Sequence, residues 1–197
     1  MSILERFMDF AGQSKLIEIF GPEGAGKTQL LLTLISETLT RGENEQVVVD
    51  GARKFRPERL LELLADRSLL RNLYVERPYD GQMAYEFTLS VAKKANYKSV
   101  FIDGFSQMFY DSRSFLNRLG LSARHLSIFA SNGGTVIMTD GLSGMGMGHP
   151  LGSALTDPYI WTRIRMERFG TVGRLIISET GKRINYTIGR DGVKLIG

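Results

Sequence analysis

The sequence predicts an α/β fold: a mostly parallel sheet flanked by helices and continued on one side by antiparallel C-terminal strands. Three observations carry this. Short apolar runs alternate with helix-length amphipathic segments as far as residue 140. Two of those runs, 46–50 and 99–104, contain a late aspartate, Asp50 and Asp103, at the edge where such sheets bind ligands. Beyond residue 159 the helical period stops, and strand-length segments separated by glycine turns follow.

The elements can be taken in order. Ser2-Ile3-Leu4-Glu5 forms a capping box that opens a short helix over 3–11. Residues 15–20 make an apolar strand, and Leu30, Leu31, Leu34, Ile35 and Leu39 give helical periodicity over 27–41, stopped by Gly42. A strand at 46–50 precedes a helix that starts with Pro57 in its first turn and runs to about residue 66. A strand at 72–78, a helix at 81–96 and a strand at 99–104 follow. A helical stretch over 111–132, interrupted near Gly120, then leads to a strand at 135–140. Strands at 159–168, 173–180 and 183–189 close the chain, with turns at Thr180-Gly181 and Asp191-Gly192. The whole is expected to be one domain over 1–197, with 1–14 as a short helical lead and no separate N-terminal DNA-binding domain.

Composition narrows the chemistry. The chain has no cysteine, which excludes disulfides and thiolate metal sites, and its two histidines argue against a structural zinc. No apolar run approaches the ~18 residues of a membrane span. The N-terminus lacks a secretory pattern, so no membrane partner and a cytoplasmic location are expected. Charge is uneven. Residues 159–197 hold eight Lys/Arg against three acids, a net +5, whereas the preceding residues hold seventeen against eighteen, a net −1. A basic segment on a near-neutral body suits a polyanion, or else a solvated strand face whose cations suppress edge pairing.

The strongest motif is Gly21-Pro22-Glu23-Gly24-Ala25-Gly26-Lys27-Thr28, between a predicted strand and a predicted helix. Its glycines let backbone N–H groups close on phosphate oxygens, and the next helix aims its positive end at the same anion. Lys27 is expected to reach the terminal phosphates, and Thr28 to bind Mg²⁺. Asp103 is expected to hold Mg²⁺ through water from the neighbouring strand. This is a P-loop for ATP·Mg²⁺, with Gln29 following it at the start of the helix.

Other stretches resemble one family in the same order along the chain. Phe55-Arg56-Pro57-Glu58-Arg59-Leu60, Asp80-Gly81-Gln82, Leu121-Ser122-Ala123-Arg124, Thr162-Arg163 and the closing 185–193 all resemble segments of archaeal RadA and eukaryotic recombinases. From about residue 15 the chain resembles a RecA/RadA-superfamily ATPase core, of the kind of the archaeal RadA paralogs (RadB/RadC-like). The resemblance implies a RecA-like fold, Arg59 against the adenine ring, and single-stranded DNA and a RadA-type recombinase or other repair protein as partners. For DNA phosphates the candidates are Arg163, Arg165 and Arg168. Strand alternation puts the first two on one face and Arg168 on the other.

The departures from that family also matter. The glutamate that activates the attacking water aligns with Ala52, and a methyl group cannot orient or deprotonate water. The glutamine that senses the γ-phosphate corresponds to Asp140, which joins Lys27 and Asp103 as a catalytic candidate. The family's Phe-x-x-Ala self-assembly motif has only Phe7-x-x-Phe10 as a counterpart, a pair better suited to packing a short helix on the core. The loop 141–152, at the place of a DNA-binding loop, is uncharged and carries Met145, Met147 and His149. The expected function is an ATP-binding, weakly hydrolysing protein that binds single-stranded DNA and modulates a recombinase. The alternative is a nucleotide-dependent module that docks a partner ATPase without touching DNA.

Overall fold

The computed structural model describes residues 1–42, 45–93, 97–110, 115–143 and 148–196. Six strands run parallel: β1 (Leu16–Phe20), β2 (Gln46–Asp50), β3 (Leu73–Glu76), β4 (Ser99–Asp103), β5 (Thr135–Asp140) and β6 (Thr162–Phe169). Strands β7 (Val172–Ile177), β8 (Arg183–Gly189) and β9 (Gly192–Ile196) extend the sheet antiparallel from β6. The nine lie in one sheet in the order β3-β2-β4-β5-β1-β6-β7-β8-β9. This is the RecA-like α/β core the sequence predicts.

Helices cover the parallel half on both faces, which is why β1, β2 and β4 are buried at every position. On one face α1 (Ile3–Phe10), α2 (Lys27–Thr40) and α3 (Pro57–Leu63) pack on Ile17, Ile19, Val48, Phe101 and Ile137. On the other, α4 (Gly81–Lys93) and α5 (Phe115–Ser131) pack on Val47, Val49, Val100, Ile102 and Met138. The Ser2 capping box forms as expected, and Phe7 and Phe10 are buried in the first of these cores. No helix of the described residues is long and apolar enough to cross a membrane.

Several boundaries differ from expectation, each for a local reason. Gly120 does not interrupt its helix; α5 runs straight through it, and its bare Cα faces Leu155 of the short helix α6 (Ser153–Thr156). A mid-helix glycine costs roughly 1 kcal/mol against alanine, which continuous backbone bonding outweighs here. Helix α6 and the turn after it occupy 153–159, so β6 begins at Thr162. Helix α3 stops at Leu63, because Asp66 caps a separate 3₁₀ turn over Arg67–Asn72 by accepting from the Ser68 N–H at 2.9 Å. The last hairpin pairs Gly189 with Gly192, so its turn is Arg190-Asp191. Residues 94–96 and 111–114 of the expected helices, and Met145 and Met147 of the uncharged loop, lie outside the described residues.

Candidate nucleotide site

The phosphate loop leaves β1 at Phe20, flanked by Asp140 of β5 and Arg165 of β6. Gly21 is required by close approach: a Cβ there would sit 2.1 Å from the Met166 carbonyl oxygen of β6. Gly26 takes the left-handed conformation, φ 99°, to turn the chain into α2. The N-terminus of that 14-residue helix therefore faces the loop. Lys27 Nζ donates to the Gly21 and Pro22 carbonyl oxygens at 2.8 and 2.9 Å. Burial lowers its pKa from the ordinary value, with the negative charges of Asp103 and Asp140 opposing the drop.

Asp103 ends β4, where one oxygen accepts from Thr28 Oγ1 at 2.8 Å and the other from Thr139 Oγ1 at 2.6 Å. Thr139 in turn accepts from the Gly104 N–H at 3.0 Å. The predicted metal pair, Thr28 and Asp103, is thus brought together by α2 and β4. Among the described residues no group of three or more His, Cys, Asp or Glu could cage a metal alone. One hydroxyl and one carboxylate suit Mg²⁺, which keeps waters and shares phosphate oxygens.

These groups line a cleft of about 1460 Å³ together with Gly21, Pro22, Glu23, Gly24, Gly26, Gln29, Ala52, Arg59 and Asp140. Ala25 does not line it: its methyl is buried and its N–H bonds within the loop to the Pro22 carbonyl. Among the described residues Gln29 Nε2 is buried without a partner, while its Oε1 accepts from Arg59 Nε at 3.2 Å. An orphaned donor in a cleft floored by a phosphate loop fits a polar ligand. Arg59 also bonds Glu62 at 2.6 Å and the Gly189 carbonyl at 3.0 Å, so it bridges α3 to the last hairpin.

Neither Asp50 nor Asp140 stands free beside Ala52. The Ala52 N–H donates to the Asp103 carbonyl at 2.8 Å, and its methyl meets Gly104. Asp50 is spent on closing its loop: it accepts from the Lys54 and Phe55 N–H groups at 2.8 and 3.1 Å and from Arg77 Nε at 3.0 Å. Asp140 reaches the cleft, but its oxygens accept from the Ser106 hydroxyl (2.5 Å), the Ser106 N–H (3.2 Å) and the Gly141 N–H (2.8 Å). Burial raises its pKa to about 6 against those bonds and the pull of Lys27.

Among the arginines, Arg163 is corrected. It does not present a free guanidinium for DNA. Nε bonds the fully buried Glu18 at 2.5 Å, Nη2 the Thr156 hydroxyl at 2.9 Å, and Nη1 pairs with Asp157. It is the counter-ion of a carboxylate inside the sheet. Burial, then the nearby Asp140 charge, raises the pKa of Glu18 to about 7, with Arg163 opposing. Arg165 stays half-exposed, paired with Glu167 at 2.9 Å beside Gly148. Arg168 lies on the opposite face, as alternation requires, and bonds the Gly170 carbonyl at 3.0 Å.

Sequence reasoning missed the loop's main prop. Tyr186 of β8 is wholly buried and its hydroxyl lies between two carbonyl oxygens, that of Ala25 at 2.5 Å and that of Glu167 at 3.0 Å. Burial pushes its pKa up to about 12, so it stays a donor. Gly173 makes the space, since a Cβ there would sit 2.0 Å from the ring. A tyrosine in an alternating strand carries no sign of a partner 161 residues away.

Fold and site together define an α/β core that carries a phosphate-loop motif. No protein-family model matches the chain. It is 34% identical to Protein RecA of Synechococcus sp. (strain CC9902) over 91 residues, 46% of this chain and 23% of that one. It is 29% identical to DNA repair protein recA homolog 1, chloroplastic, of Arabidopsis thaliana over 119 residues, 58% and 26% of the two chains. Protein RecA of Prochlorococcus marinus (strain MIT 9211) gives 32% over 91 residues, 46% and 24%. The matches span about a quarter of the length of these relatives. The chain is a distant relative of the RecA family.

Proposed function

We propose that this chain is an ATP·Mg²⁺-binding accessory protein of homologous recombination, similar to the archaeal RadA paralogs, that hydrolyses ATP slowly. It binds single-stranded DNA and modulates a recombinase. One observation carries the reading: a complete phosphate site beside Ala52, where the family places its water-activating carboxylate. Lys27 and the α2 N-terminus hold the phosphates; Thr28 and Asp103 hold the metal. Mg²⁺, when bound, neutralises charge that develops on the phosphate oxygens. Phosphate binding is therefore served while water activation is not, because Asp50 and Asp140 are both engaged elsewhere.

The test is Ala52→Glu. General-base help contributes ~10²–10⁴-fold, so wild-type turnover should fall below the ~1–10³ s⁻¹ usual for enzymes. The substitution should raise turnover and leave ATP affinity nearly unchanged. Fast hydrolysis by the wild type would sink the proposal.

A second reading, a docking module without a DNA role, is favoured by a different observation. Tyr74, Val75, Tyr79 and Met83 are exposed on or beside β3, the edge strand of the sheet. Such an edge suits a protein partner. Wild-type protein that fails to bind oligonucleotides at low salt would select this reading.

A further inference from the structure

We infer that single-stranded DNA runs over the outward face of β6–β9, held by Arg165, Arg174, Arg183 and Lys194. This deepens the DNA-binding reading above and rests on it. The face follows from strand alternation. In β7 the odd positions Gly173, Leu175 and Ile177 are buried on the α1–α2 side, as are Val193 and Leu195 of β9. The alternate positions of β6–β9 point the other way, and from Arg165 onward none of them but Gly192, at the last turn, is buried. Helices α4 and α5 stop at the parallel half, so this part of the sheet stands open.

Its registers bring cations together. Arg165 and Arg183 flank Ile176 in one row, Arg174 lies between Glu167 and Asn185 in the next, and Thr187 faces Lys194 in the third. Cations two strands apart are ~10 Å from each other. Glu167 is the one acid among these rows, and it is already paired with Arg165. Among the described residues, neither Arg174 nor Arg183 has an ion-pair partner. Four of the eight cations of the C-terminal segment are therefore displayed on one surface, Lys194 paired with Asp191 at 3.1 Å.

The apolar content selects a single strand over a duplex. Phe169, Val172 and Ile196 are exposed between the cations on this face. A duplex offers such a surface only phosphates, whereas unpaired bases offer faces that rest on apolar and aromatic side chains. The uncharged loop reaches the same surface, where Gly148 lies beside the Arg165 guanidinium. Arg163 plays no part, being neutralised by Glu18 and Asp157.

The experiment is fluorescence anisotropy of labelled oligo-dT titrated with salt, comparing wild type, Arg174→Ala/Arg183→Ala, and Lys15→Ala/Lys98→Ala. The last pair removes equal charge from just ahead of the interior strands β1 and β4, where both lysines line a separate cavity. Each lost phosphate contact on a single strand lowers the log–log salt slope by ~0.7. The face variant should therefore bind more weakly, with a slope smaller by about 1.4, and the Lys15→Ala/Lys98→Ala control should match wild type. Oligo-dT should bind more tightly than duplex and should not be displaced by polyglutamate at equal charge. If wild type binds and the face variant keeps its affinity and slope, DNA lies elsewhere: the path is refuted and the DNA reading stands. Equal competition by polyglutamate, or tighter duplex binding, refutes the single-strand surface. No binding by wild type overturns both.

Discussion

Glu18 and Arg163 look like a stabilising buried ion pair, and the structure implies the reverse for the carboxylate. Glu18 is fully buried, its Oε1 has no partner among the described residues, and its pKa stands at about 7 against an ordinary 4.5. At about 1.4 kcal/mol per pH unit, the ionised form weakens the fold by about 3 kcal/mol relative to the protonated form. The sign follows from proton uptake. Above pH 7 both folded and unfolded states are ionised and the full penalty applies. Between pH 7 and 4.5 the folded state binds a proton that the unfolded chain does not, so stability rises as pH falls. Glu18→Gln removes this titration. It also places an amide N–H at the unpartnered corner, costing about 1–3 kcal/mol, so at pH 7.5 the two effects nearly cancel. Urea unfolding of wild type and variant from pH 8 to 5 would read the difference, in which the groups not coupled to Glu18 cancel. The wild type should gain on the variant by about 3 kcal/mol on acidification. Equal pH slopes, or a loss of about 3–5 kcal/mol at pH 7.5 as for a broken stabilising pair, would refute the reasoning.

The nucleotide site supports two further predictions. ATP·Mg²⁺ at ~100-fold above its dissociation constant should stabilise wild type by about 2.7 kcal/mol, roughly 5–11 °C in Tm for a chain of this size, and Lys27→Ala should abolish the gain. Identical responses in thermal scans would dismiss the site. Tyr186→Phe leaves the buried Ala25 carbonyl without its hydroxyl donor, so urea melts should show about 1–3 kcal/mol lost and titrations weaker ATP binding. Nucleotide affinity equal to wild type would make the tyrosine a core filler only.

How far the molecule could be read from its sequence depended on the range of the interaction concerned. Short periods revealed the parallel strands, and 46–50, 135–140 and 183–189 were placed with the bounds observed. The phosphate loop and the Thr28–Asp103 pairing were legible because motif and strand end carry their own chemistry. Gly120 was misread because a glycine that faces a neighbouring helix has the same letter as one that ends a helix. Arg163 was misread because its partner, Glu18, lies 145 residues earlier in an otherwise apolar strand, and only sheet order makes them neighbours. The roles of Thr139 and Ser106 beside the two aspartates likewise depend on strand ends meeting in space.

The antiparallel extension owes both of its jobs to the two-residue period of a strand. On its inner face, β6 brings the Met166 carbonyl against Gly21, and β8 brings Tyr186 to Ala25 and Ile188 to Gly26. Those contacts fix the back of the phosphate loop. On the outer face the intervening positions, Arg165 in β6 and Arg183, Asn185 and Thr187 in β8, are left to solvent. A one-residue slip in either strand would bury the cations and expose the tyrosine, so the inner packing also holds the outer charges in register. That is how a basic segment can belong to the core: Arg165, Arg174, Arg183 and Lys194 occupy positions that the inner packing does not use.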